Sequence, residues 1–244
     1  MIKEAINRIL EISAPHTVEK YGFTYVDKDM DPIMPPKDSL AACLKVHTLT
    51  AISDYIQKGT DKQALPDSRF VIHVADYNHV DLHKELNNDK NREYLIHSCV
   101  DVCRFPFGKW MDIETFIINL QSHFVRTETI EALIRLVGNV VDESSVKQSD
   151  DGMTQRVTAR TGIALVKEVE VPNPVALQPY RTFSEVKQPE GTFVFRVRKS
   201  EREGVTAALF EADGEAWKNK AILTIKEWLE DHLRDVADKI IILA

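Results

Sequence analysis

The chain has 244 residues, 43% of them hydrophobic and 28% charged, with 10 prolines, 9 glycines and a formal net charge of −7. This composition can fill a folded core and is not that of a disordered chain. The acidic balance argues against general binding to a phosphate backbone but leaves room for a local basic patch.

Cys43, Cys99 and Cys103 are odd in number and too sparse for a disulfide framework. The opening MIKEAINRILEIS contains acids and no long apolar run, unlike a secretory signal, and no segment approaches the roughly 18 apolar residues of a membrane span. A reducing cytoplasm without a membrane partner is the expected setting.

Ile2, Ile6, Ile9 and Leu10 share one helical face, so residues 2–13 read as an amphipathic helix, suited to a core or to docking on a neighbouring subunit. Tyr21–Val26 reads as a strand. Pro32, Pro35 and Pro36 make 27–37 irregular, because proline withholds a backbone donor and restricts its predecessor. Asp38 or Ser39 is placed to cap a helix whose inner face carries Leu40, Leu44, His47, Ala51 and Tyr55 and which closes at Gly59. His47 on that face reads as a hydrogen-bonded core histidine. From Arg69 the period changes to two. Phe70–Ala75, His79–Leu86 and Glu93–Val102 form a three-stranded meander, with Tyr77-Asn78 and Asn87-Asn88-Asp89 at its turns.

The stretch from Phe105 to Val141 predicts a helical hairpin at the centre of the fold. Asp112 caps its first helix, Met111 and Phe116 have hydrophobic-staple spacing, and Ile113, Ile117, Leu120 and Phe124 recur at helical steps. Thr127 caps the second helix, whose stripe is Ile130, Leu133, Ile134, Val137 and Val141; the short connection makes the two helices antiparallel. A polar connection follows over 142–151, with a short strand near Val146. Met153–Arg160 and Ile163–Val171 make a β-hairpin around Thr161-Gly162. The segment 172–189 has four prolines but also Leu177, Tyr180, Phe183 and Val186, so it should pack down. Thr192–Lys199 and Val205–Glu211 form another antiparallel pair. Asp213 caps a helix with Trp217, Ala221, Ile225 and Trp228 on one face, and 239–243 is a final strand. The expected fold class is α+β: a largely antiparallel sheet packed against the central helical hairpin and the C-terminal helix. It forms a single domain over 1–244, with 172–189 the one place for a sub-boundary.

Three constellations carry candidate chemistry. Strand alternation puts His79, Asp81 and His83 on one face, and His97, Cys99, Asp101 and Cys103 on another. Were the two faces the same, imidazoles and thiolates would converge as zinc ligands do. No C-x-x-C pair and no H-x-x-x-H on a predicted helix accompanies them, and an exposed polar sheet face gives the same alternation. No metal is therefore assigned, and His79, His83, His97 and Cys99 stand only as weak candidates. Cys99 beside His97 also suggests a nucleophile, but spacing alone supplies neither reach nor activation, so Cys99 reads as a small buried hydrophobe. The third constellation is basic. Arg156 and Arg160 share one strand face, Arg196 and Arg198 another, and Arg181 lies in the Pro-rich loop. Two such strands in one sheet would bind phosphates or single-stranded nucleic acid; the alternative is a solvated face paired with Glu168, Glu170, Glu201 and Glu203. No phosphate loop, dinucleotide fingerprint or nucleophile elbow occurs, so neither a catalytic residue nor a cofactor is assigned.

The stretches FGKWMDIETFIINLQSHFV, DDGMTQRVTARTGI, VPNPVALQPYRTFSEVKQPEGTFVFRV and ALFEADGEAWK resemble the YfdQ-like family of uncharacterised prophage and phage proteins. The resemblance covers most of the chain, from the helix near Leu40 to the last helix. It implies a phage origin and a bacterial cytoplasm, and it transfers no active site. The reading from sequence is a non-enzymatic phage accessory protein whose partner is itself, as a homo-oligomer or self-assembled particle. The alternatives are a nucleic-acid-binding accessory of recombination or replication, and a counter-defence enzyme or ligand sponge.

Overall fold

The computed structural model describes residues 2–14, 16–20, 23–26, 40–63, 69–88, 90–139, 147–148, 155–161, 165–171, 173–200 and 204–244. The chain divides into two compact units, Met1–Ala41 and Ala42–Ala244. The Pro-rich loop 172–189 lies inside the second unit. The segment 27–37, most of the connection 142–151 and Val141 lie outside the described residues.

In the first unit, α1 (Ile2–Ser13) precedes β1 (Thr17–Lys20) and β2 (Phe23–Val26), which pair antiparallel from Thr17↔Val26 to Lys20↔Phe23. The helix forms as its periodicity predicts but buries no residue: Ile2, Ile6, Ile9, Leu10 and Ile12 are all exposed.

The second unit runs β3 (Leu44–Val46), α2 (Leu49–Gln57), β4 (Phe70–Asp76), β5 (His79–Lys84), β6 (Tyr94–Cys99), β7 (Met111–Asp112), α3 (Ile113–His123), α4 (Glu128–Gly138), β8 (Lys147–Gln148), β9 (Gln155–Thr161), β10 (Leu165–Val171), β11 (Val175–Leu177), β12 (Gly191–Ser200), β13 (Gly204–Glu211), α5 (Trp217–His232), a 3-10 turn (Arg234–Lys239) and β14 (Ile240–Leu243). The fold is α+β with largely antiparallel pairing; β14 joins β4, and β3 joins β6, in parallel. Its sheets have the orders β14-β4-β5-β6-β3, β11-β12-β13-β7 and β10-β9-β8. No helix among the described residues is long and apolar enough to cross a membrane.

The helical hairpin and the C-terminal helix serve separate cores rather than one shared layer. The hairpin covers β11-β12-β13. Phe116 and Leu120 of α3, and Ile130, Leu133 and Val137 of α4, meet Val175, Leu177, Phe193, Phe195, Val197 and Leu209. Phe116 stacks on Phe195 at 5.7 Å and Phe107 on Phe193 at 5.1 Å. Each such ring removed from water contributes roughly 1.5–3 kcal/mol before entropy is counted. Both helices start where expected. Asp112 accepts from the Thr115 N–H at 2.9 Å, and Thr127 Oγ1 accepts from Ile130 N–H at 3.3 Å.

The second core lies under the five-stranded sheet. Ile72, Val74, Val80, Leu82 and Ile96 meet Leu49, Ile52 and Tyr55 of α2, Ile225 and Leu229 of α5, and Phe183 and Val186 from the Pro-rich loop. That loop packs down as expected, and buried Gln188 organises it. Its carbonyl accepts from Arg181 N–H at 2.9 Å and Thr182 N–H at 3.2 Å, while its amide donates to Phe183 O at 3.0 Å.

Two helix starts differ from expectation. The helix expected from Leu40 begins at Leu49, after the short strand β3, and its cap is Thr48, whose Oγ1 accepts from Ala51 N–H. Strand pairing with β6 claims Leu44–Val46 before the helix can form. His47 is therefore exposed and pairs with the Cys99 carbonyl at 2.8 Å rather than sitting in the core. The closing glycine is as expected. Gly59 has φ +65°, with Gly59 N–H to Ile56 O and Thr60 N–H to Tyr55 O completing a two-bond C-terminal cap. At α5 the cap falls on Ala216, because Gly214 (φ +59°) and Glu215 (φ +63°) insert a left-handed turn after Asp213.

Candidate metal centre

The helices cover one face of the five-stranded sheet, so alternation turns His79, Asp81, His83, His97 and Cys99 to the other. Register then decides which of them meet. β5 and β6 pair so that Asp81 stands directly opposite His97 and His79 opposite Cys99. The two faces distinguished by sequence are thus one face.

Three atoms converge there. Asp81 Oδ1 lies 3.0 Å from His79 Nε2 and 3.0 Å from His97 Nδ1, and the two ring nitrogens are 2.9 Å apart. The rings sit edge to face with centroids 4.1 Å apart. Side-chain exposures of 29% for His79, 12% for Asp81 and 40% for His97 leave the triangle open on one side and sheltered on the other.

No arrangement of protons gives all three edges of this triangle a linear hydrogen bond. A carboxylate oxygen only accepts, and each ring nitrogen offers either one N–H or one lone pair. If both nitrogens carry hydrogen, the two N–H groups crowd each other. If neither does, three lone pairs converge. A cation uses all three lone pairs at once. Donors about 2.1 Å from a metal are about 3.0 Å apart when they subtend 90°, and about 3.4 Å apart at the tetrahedral angle. The observed edges match the first value. Two imidazoles and one carboxylate, with further positions open, are a donor set that suits a divalent first-row ion. Such an ion would supply Lewis acidity to bound water or an oxyanion.

The other sequence candidates are used elsewhere. His83 is buried, with Nδ1 3.0 Å from Lys84 O and its ring 5.3 Å from Tyr94. Cys99 neighbours His79 in register without joining the triangle. Asp81, present in the alternation but not among the metal candidates, is the corner that both histidines meet.

The two arginine-bearing strands are not neighbours in one sheet. β9 and β12 belong to different sheets. Arg156 and Arg160 lie on β9, and their side chains are outside the described ones. On β12, Arg198 stacks on Trp110 at 4.2 Å and donates to Thr206 Oγ1, while Arg196 donates to the Phe195 carbonyl. Arg181 is an internal cation, only 4% exposed. It donates to Glu211 Oε1 at 2.9 Å and lies 3.8 Å over the Trp217 ring. Burial pulls its pKa down to about 10, with the Glu211 and Asp213 carboxylates opposing the shift, so it stays charged at neutral pH. A Cβ at Gly191 would collide with Arg181 Nη2 and Asp213 Oδ2, so glycine makes room for this pair.

No family model, curated protein or solved structure matches the chain.

Proposed function

We propose that this chain is a metal-binding accessory protein of phage origin, working in a bacterial cytoplasm, with a divalent ion held by His79, Asp81 and His97. The near-equilateral triangle of donor atoms, 2.9–3.0 Å on every edge, carries the reading. The phage setting is supported by the resemblance to the YfdQ-like family. Bound there, the ion would keep open positions on the exposed side of the sheet and polarise water or an anionic ligand.

The test is titration of chelator-stripped protein with Co(II), Mn(II) and Zn(II). One equivalent per chain is expected, with Co(II) showing the weak visible absorption of a six-coordinate ion rather than the intense bands of a tetrahedral one. His79→Gln and His97→Gln each should lower affinity by at least about ten-fold. Absence of saturable binding, or binding unchanged in both variants, would end this reading.

A second reading, self-association, is favoured by α1. Its exposed stripe of Ile2, Ile6, Ile9 and Leu10 has the spacing of a helix that packs on another apolar surface, and the occupant we propose is a second copy of the chain.

A further inference from the structure

We propose that Cys103 and His123 form a nucleophile–base pair, independent of the metal centre, that takes soft electrophiles of the low-molecular-weight disulfide class. His123 is the last residue of α3, and Cys103 is an exposed residue of the segment between β6 and β7. The Cys103 sulfur is 3.3 Å from His123 Nε2, within reach for proton transfer.

The tautomer follows from the other side of the ring. His123 Nδ1 is 3.0 Å from the Asn119 carbonyl oxygen and 2.9 Å from Ser122 Oγ. The carbonyl can only accept. The Ser122 hydroxyl spends its hydrogen on Ile118 O at 2.7 Å, so it too accepts from the ring. The ring proton therefore sits on Nδ1, and the Nε2 lone pair faces the thiol. Phe105, edge-on at 6.2 Å, and the bond from Tyr180 N–H to His123 O at 2.8 Å fix the ring and its backbone. A base oriented by a second acceptor, with its free nitrogen on a thiol, has the arrangement of an activated nucleophile. Strand alternation groups Cys103 with His97 and Cys99, but it lies beyond the end of β6, and its histidine is 20 residues further along the chain.

The step balances without an added oxidant or reductant. Nε2 takes the thiol proton as Sγ attacks one sulfur of RS–SR. The S–S bond breaks, its electron pair leaves on the second sulfur, and that thiolate receives the proton from the imidazolium. The products are RSH and a mixed disulfide on Cys103, which excess thiol reverses.

The experiment uses 5,5′-dithiobis(2-nitrobenzoate), itself an aromatic disulfide, on the full chain carrying Cys43→Ser and Cys99→Ser. At pH 7 the folded thiol should react at least about ten-fold faster than the same thiol in the urea-unfolded chain. It should also outpace Cys43 in a Cys99→Ser, Cys103→Ser chain, where an exposed sulfur is set against the Leu44 carbonyl. His123→Asn, checked for folding by circular dichroism, should lose the advantage, and mass spectrometry should place the adduct on Cys103. A folded rate no faster than the unfolded one overturns the proposal whether or not the variant folds. An unchanged rate in folded His123→Asn overturns it equally and leaves the contact as a fastening between loop and helix.

Discussion

Asp112 shows how far a single side chain can be read in advance. A carboxylate ahead of a helix with apolar periodicity predicts a cap, and the bond from Thr115 N–H delivers it. That bond holds the Asp112 pKa below the ordinary carboxylate range. A depressed folded-state pKa makes the contribution complete above the unfolded value and lost as pH falls through the folded one. Asp112→Ala should therefore cost about 1 kcal/mol at pH 7. The gap from wild type should narrow as the medium is acidified below the unfolded-chain aspartate value of about 3.9 and on towards the lower folded one. Asp112→Asn should keep most of the cap and show no such narrowing; urea unfolding across pH distinguishes the three. Arg181 shows the opposite case. Its sequence neighbours, prolines and a tyrosine, say nothing of Trp217 or Glu211, which reach it from α5 and β13 respectively. An arginine that reads as an anion ligand is consequently the inner half of an ion pair.

At the scale of elements, legibility followed locality. α3 and α4 carry their caps and their apolar stripes within their own sequences, and both were readable. α2 is held partly from outside: Glu185, from the Pro-rich loop, accepts from Leu49 N–H at 2.8 Å and Thr50 N–H at 3.2 Å. A carboxylate there neutralises the positive end of the helix dipole and satisfies donors that the helix leaves free. Glu185→Ala should lower stability by about 1–2 kcal/mol, and Glu185→Gln by less, since the amide oxygen still accepts without the charge. Thermal and urea unfolding would measure both; equal stability of Glu185→Ala and wild type would contradict the assignment. The meander was equally legible as three strands. Its site was legible only as two polar faces, because alternation says which residues share a face of one strand and not which stand opposite on the next. The β5–β6 register, with a shift between Leu82 and His83, supplies that pairing.

At the scale of the whole molecule, the proposed self-association rests on α1. Light scattering on a size-exclusion column should return a discrete assembly larger than 27.8 kDa. Ile6→Glu with Ile9→Glu should return a monomer, because charges on the stripe must be desolvated at any helix–helix contact. A wild-type monomer at micromolar concentration would dismiss the reading. The two cores of the second unit also differ in how they draw on the chain. The core under the hairpin draws its buried residues from within 105–209. The core under the five-stranded sheet begins with Leu49 but is closed by Ile225, Leu229 and Leu233, and β14 joins β4 later still. During vectorial synthesis, then, the hairpin core can close while the meander still lacks the part of its apolar cover that α5 supplies, and its β4 edge stays unpaired. The part of the protein that bears the proposed metal ligands is, by this topology, the last to be sealed.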